Sequence, residues 1–149
     1  MRRCTGLAML DGGADQRYLA RRITAMAWDD IGLADPRALQ IARDAVTTCE
    51  RFGGVDGEIA LSQAVIYLAV AAKSNAGGLA FMQARSFVAQ DRPRPVPAEL
   101  RHHALAGPDP YGEALLPVGM GDPGWYRPVP RGLEIDIARR MQAIRIKRD

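Results

Sequence analysis

The chain has 149 residues, of which 48% are hydrophobic and 25% charged, the balance of one globular domain rather than two. Two cysteines, Cys4 and Cys49, are too few for a disulfide framework and lack zinc-type spacing. The longest apolar run, Ala64–Ala72, is half of what a membrane span needs, and Met-Arg-Arg-Cys-Thr-Gly at the start carries no secretory signal. Membrane, secreted-toxin and collagen-like classes are set aside, the thiols read as reduced in a cytosolic protein, and the net charge of +3 permits a nucleic-acid partner without demanding one.

In chain order, apolar residues recur at helical spacing. A first helix is expected from the N-cap Asp15, with Leu19, Ile23, Met26 and Ala27 on one side and Gly32 as its stop. Asp35-Pro36 starts a second, because aspartate accepts from free N–H groups and proline at the first helical position gives up a donor without a partner. Leu39, Ala42, Val46 and Cys49 share its face, and Gly53-Gly54 ends it. Asp56 opens a third helix with Glu58 in its first turn. Its stretch Ile59–Ala72, apolar on nearly every side, reads as a central helix buried all round, stopped by Lys73-Ser74-Asn75. A fourth runs from Ala76 to Gln90, packing Leu79, Phe81, Met82 and Phe87, with Gly77 and Gly78 each weakening its first turn by about 1 kcal/mol.

Nine of the ten prolines then fall between Pro93 and Pro130, marking a Pro/Gly-rich section that holds at most a helical turn at Ala98–Leu105. A last helix begins near Arg131, with Leu133, Ile137, Met141 and Ile144 as its stripe and a basic end. No strand pattern is visible. The fold class is all-α: a compact multi-helix domain with non-bundle packing and a Pro/Gly-rich loop region before the last helix.

Chemical motifs are thin. Gly119-Met-Gly121-Asp-Pro-Gly124 has the letters of a dinucleotide fingerprint but no βαβ context, so it reads as a loop. No phosphate-binding Gly-x-x-x-x-Gly-Lys-Ser/Thr segment occurs. The adjacent pair His102 and His103 points about 100° apart on a helix and cannot converge on one metal; Asp29-Asp30 diverges likewise, favouring capping or surface ion pairs. With Asp109, the histidines form the weakest reading, a small metal or acid–base enzyme. The expectation is no catalytic, cofactor or metal residue in this chain.

Three blocks are specific: Arg21-Arg-Ile-Thr-Ala-Met-Ala-Trp-Asp-Asp-Ile-Gly-Leu-Ala-Asp-Pro-Arg-Ala-Leu-Gln40, Gln63-Ala-Val-Ile-Tyr-Leu-Ala-Val-Ala-Ala-Lys-Ser-Asn-Ala76 and Pro95-Val-Pro-Ala-Glu-Leu-Arg101. They closely resemble the C-terminal region of the RarA/MgsA family, replication-associated recombination AAA+ ATPases related to clamp loaders. Trp125-Tyr-Arg-Pro-Val-Pro-Arg-Gly-Leu-Glu134 is similar to that family's closing motif. Two places depart from the pattern: a shorter loop with His102-His-Ala-Leu-Ala-Gly-Pro-Asp-Pro110, and the Gly77-Gly78 pair, where the family has larger residues.

The resemblance implies a collar-like domain that assembles a homotetramer, with residues 1–14 the end of a preceding helix or linker and 15–149 the helical oligomerisation domain. It implies ATP and Mg²⁺ only in the full-length protein, a DNA-dependent ATPase of stalled forks in the cytoplasmic nucleoid, with DNA and single-strand-binding protein as its partners and no membrane. Met1 is then not the natural beginning. Candidate assembly residues are Ile59, Ile66, Tyr67 and Val70 on the apolar helix and Leu79, Phe81 and Phe87 on the next. The alternative function is a direct DNA-binding module using Arg21, Arg22, Arg139, Arg140 and Arg145.

Overall fold

The computed structural model describes residues 12, 13, 15–95 and 120–146. Among them there are five α-helices and no strand. Helix α1, Gln16–Met26, starts as expected: the Asp15 carboxylate accepts from the Arg17 N–H at 2.9 Å, satisfying one of the orphan donors of a first turn. Leu19, Ala20 and Ile23 turn inward.

The helical path does reach the expected stop at Gly32, where φ turns to +52°, but it is not α-helix throughout. After Met26 it widens into a π turn, Ala27–Ile31, followed by a 3-10 turn, Gly32–Ala34. The Asp30 carbonyl there accepts from the Ser74 N–H at 2.9 Å, so a distant turn takes a backbone acceptor that an α-helix would have used itself. The corner is fixed by tertiary contact, which local periodicity does not carry.

Helix α2, Arg37–Phe52, follows Pro36, whose backbone is already helical. Asp35 accepts from the Arg37 N–H at 3.3 Å, the capping role expected of it, with Pro36 as the first residue of helical backbone. Gly53 alone joins α2 to α3, Gly54–Val70, which begins two residues before Asp56 and ends three before Lys73. Asp56, not Glu58, occupies its first turn; Glu58 instead accepts from Gln16 Nε2 at 3.4 Å.

These two helices form an antiparallel hairpin with the most extensive helix contact in the described chain. Small residues permit it: Ala38, Ala42 and Ala45 line the inner side of α2, with Leu39 and Val46 half-buried beside them. At Gly57 an added Cβ would lie 2.9 Å from Cys49 Cα, so only glycine allows this approach. Cys49 is buried, as expected of a small core residue. Ile23, Ile31, Leu61 and Leu68 are the largest apolar side chains of the core.

Helix α4, Ala76–Gln90, has the expected bounds but not the expected packing. Only Ala76 is buried; Leu79, Phe81 and Met82 are exposed. The helix touches the rest mainly at the 3-10 turn, and Phe87 meets Trp125 with ring centroids 5.5 Å apart, tilted by 58°.

The last helix, α5, Glu134–Ile146, starts three residues after Arg131. Of its expected stripe, Ile137 and Met141 are half-buried while Leu133 and Ile144 are exposed. It is fastened at its start. Leu133 N–H donates to Ala34 O at 2.8 Å, and Gly132, with φ +53°, lies where a Cβ would collide with that same carbonyl. The helical turn expected at Ala98–Leu105 lies outside the described residues.

Candidate functional site

The expectation that α3 is buried all round is corrected. Gly57, Leu61, Ala64 and Leu68 face the core. Half a turn away, Val55, Ile59, Ile66 and Val70 are 72%, 51%, 55% and 65% exposed. At 100° per residue these four fall within a ~60° arc and run ~22 Å along the axis. An amphipathic helix would place polar residues there. Hiding each half-exposed aliphatic is worth about 1 kcal/mol, so the stripe is a surface with energy to gain from a partner.

Helix α4 adds to the apolar surface with exposed Leu79, Phe81, Met82 and Val88. Leu79, Phe81 and Met82, with Leu33 and the 68% exposed Trp28 of the π turn, border a cleft of about 660 Å³. The sequence reading missed Val55, because it began α3 at Asp56. It also missed Trp28, although a tryptophan directly before two aspartates was a visible signal. Asp29 and Asp30 are exposed there.

Two candidate assembly residues are engaged within the chain. Phe87 packs on Trp125, and Tyr67 donates its hydroxyl to Asp35 Oδ2 at 2.6 Å. Asp35 also accepts from the Arg37 guanidinium at 3.0 Å. That guanidinium holds the Asp35 carboxyl below the usual carboxylate range, against the opposing effect of burial, with the Tyr67 hydroxyl assisting. The same hydrogen bond to Asp35 pushes the Tyr67 phenol up. This cluster ties the end of α3 to the start of α2.

A second polar cluster clamps the last helix. Glu134 is fully buried and accepts from Ser74 Oγ at 2.7 Å and from the Val129 N–H at 2.6 Å. Beside it the Tyr126 hydroxyl is buried and has no well-formed hydrogen bond among the described residues. Burial, then the Glu134 charge and the pull of its carboxylate on the hydroxyl proton, push the Tyr126 phenol up to about 12.

The candidate DNA contacts divide. Arg139 pairs with Asp136 at 3.1 Å and Arg145 with Asp122 at 3.3 Å, so each already has an acidic neighbour; Arg140 is exposed. Arg21 and Arg22 are exposed on α1, and no carboxylate among the described residues pairs with them. The residues from Met120 to Gly124 lie outside any helix or strand, whereas Gly119, His102, His103 and Asp109 lie outside the described residues. Among the described residues, no group of three or more His, Cys, Asp or Glu could hold a metal ion. No helix of the described chain is long and apolar enough to cross a membrane.

Fold and surface together define an all-α domain with a tight helical-hairpin core and apolar faces left open around it. The chain belongs to the family of MgsA AAA+ ATPase C-terminal domains, whose model matches residues 6–114. It is 41% identical to replication-associated recombination protein A of Coxiella burnetii, over 92% of this chain and 35% of that protein. It is 36% identical to the protein of that name in Escherichia coli K12, over 89% of this chain and 34% of that protein. An uncharacterized AAA domain-containing protein of Mycobacterium tuberculosis is 34% identical over 92% of this chain and 34% of its own length. The chain thus spans about a third of the length of these relatives.

Proposed function

We propose that this chain is the assembly domain of an AAA+ ATPase of replication-associated recombination, joining copies of itself and performing no chemistry of its own. The observation that carries this reading is the exposed apolar stripe of α3, Val55, Ile59, Ile66 and Val70, opposite the face that closes the core. A helix with both faces apolar has one face to give to the domain and one to give to another subunit. Leu79 and Phe81 on α4 form a second exposed apolar patch, bordering the cleft beside Trp28 and Leu33.

Membership of the family and the names of the relatives support the setting. In this reading four copies assemble and gather ATPase modules around DNA, raising their local concentration. ATP and Mg²⁺ belong to the ATPase module of the full-length protein. DNA and single-strand-binding protein are engaged through that protein, in the cytoplasmic nucleoid.

Size-exclusion chromatography with light scattering tests it. The expected mass is four times the 16.2 kDa of one chain, falling in Ile59→Asp and Ile66→Asp. A strict monomer across micromolar concentrations overturns the proposal.

A further inference from the structure

We propose that the outer face of α1 is a contact site for the phosphate backbone of a single nucleic-acid strand, built from Arg17, Arg21 and Arg22 around Tyr18. Leu19, Ala20 and Ile23 hold the opposite face in the core. At 100° per residue, Arg17, Arg21, Tyr18 and Arg22 then fall in order across a ~140° arc of solvent-facing surface. All four are exposed. Arg17 to Arg21, and Tyr18 to Arg22, are each one helical step of ~6 Å apart along the axis.

Helix stability does not account for these cations. Arg17 lies in the first turn, where the dipole favours anions, and the last turn of α1 holds no basic residue. Arg17 and Arg21 stand four apart, a like-charge spacing that destabilises a helix. No carboxylate among the described residues pairs with any of the three. On α5, by comparison, Arg139 and Arg145 have Asp136 and Asp122 as exposed partners, and Arg140 stands alone among the described residues.

The complement of such a face is a polyanion, and its composition selects which one. All three cations are arginine, whose planar fork matches a phosphate and is only weakly hydrated. A membrane-binding helix would present large apolar residues between its cations; here the residues between them are Tyr18 and Ala25. An exposed tyrosine among arginines offers a ring on which an unpaired base can stack. The site is independent of the assembly surface, which lies on α3 and α4.

The test uses the whole chain, a fluorescein-labelled 20-nucleotide single strand and fluorescence anisotropy over a salt series. Binding is expected at low salt and should weaken steeply as salt rises. The triple variant Arg17→Ala, Arg21→Ala, Arg22→Ala should bind at least tenfold more weakly and flatten the log–log salt slope by about 2. Single Arg21→Gln and Arg22→Gln variants should give partial steps of the same sign. Tyr18→Leu should weaken the single strand several-fold more than a duplex of the same length, and Arg139→Ala should stay within twofold of the parent. Light-scattering mass should be unchanged throughout, which separates this outcome from any failure of the assembly reading. No binding by the parent at low salt, or a triple variant that binds like the parent, overturns the proposal. So does tighter binding to polyglutamate or to phosphatidylserine vesicles than to the oligonucleotide.

Discussion

Tyr126 keeps a buried hydroxyl that makes no well-formed hydrogen bond among the described residues and faces the buried carboxylate of Glu134. A hydroxyl stranded in this way loses its water without gaining a partner. Tyr126→Phe is therefore expected to leave stability at pH 7 unchanged or to raise it by up to about 1 kcal/mol. Alkali gives the sharper signature. The folded state holds the phenolic proton up to about 12, whereas the unfolded chain releases it near 10. Between these values the unfolded state binds fewer protons, so this residue makes stability fall as pH rises. Below the unfolded value it contributes no slope. Urea titrations of the parent and Tyr126→Phe at pH 8, 10 and 11.5 measure the difference: the variant should lose less stability than the parent over that range. Parallel losses would mean that the phenol releases its proton in the folded state as readily as in the unfolded chain. Asp35 has the opposite sign: its lowered carboxyl contributes stability that disappears only as pH falls through its folded value.

At the scale of elements, the fastening of α5 depends on a few backbone contacts. Leu133 N–H reaches Ala34 O at 2.8 Å only because Gly132 takes φ +53° against that carbonyl. Alanine there meets both a strained φ and a collision with main chain that cannot move aside, so Gly132→Ala should cost about 2–3 kcal/mol. Hydrogen exchange should then rise at Leu133 and along α5 while the α2–α3 hairpin stays protected; unchanged protection at Leu133 would refute the fastening. The devices that were legible in the sequence are local ones. The Asp15 cap, the break at Gly53 and the bounds of α4 each depend on residues within a turn of the boundary. Those that escaped are long-range. The π turn depends on Ser74 N–H at the Asp30 carbonyl, and the burial of Glu134 depends on Ser74, 60 residues away in sequence. The direction of α3 escaped for another reason: with Leu61, Leu68, Ile59 and Ile66 all apolar, periodicity has no polar side from which to tell core from partner. The blocks resembling the family carried the functional setting, which no single motif supplied.

For the whole molecule, one core holds α1, the π turn and the α2–α3 hairpin, while α4 and α5 attach by few contacts and carry much exposed apolar surface. If copies associate through the α3 stripe, folding and association are linked, and the thermal midpoint must rise with protein concentration. The driving force is apolar, so association should change little between 50 and 500 mM salt and carry a negative heat-capacity change. Nucleic-acid binding by α1 should fall steeply over the same range. Ile66 is more than half exposed in the isolated chain, so Ile66→Asp should cost a single copy no more than about 1 kcal/mol. Its thermal midpoint should nevertheless become independent of concentration, because a charge on the stripe must be desolvated for the helices to meet. Scanning calorimetry of the parent and Ile66→Asp across a hundredfold concentration range separates the alternatives. A parent midpoint that rises and a variant midpoint that stays level support the stripe as the interface. A parent midpoint that does not move would mean that these aliphatics are not held together in a stable assembly of this chain.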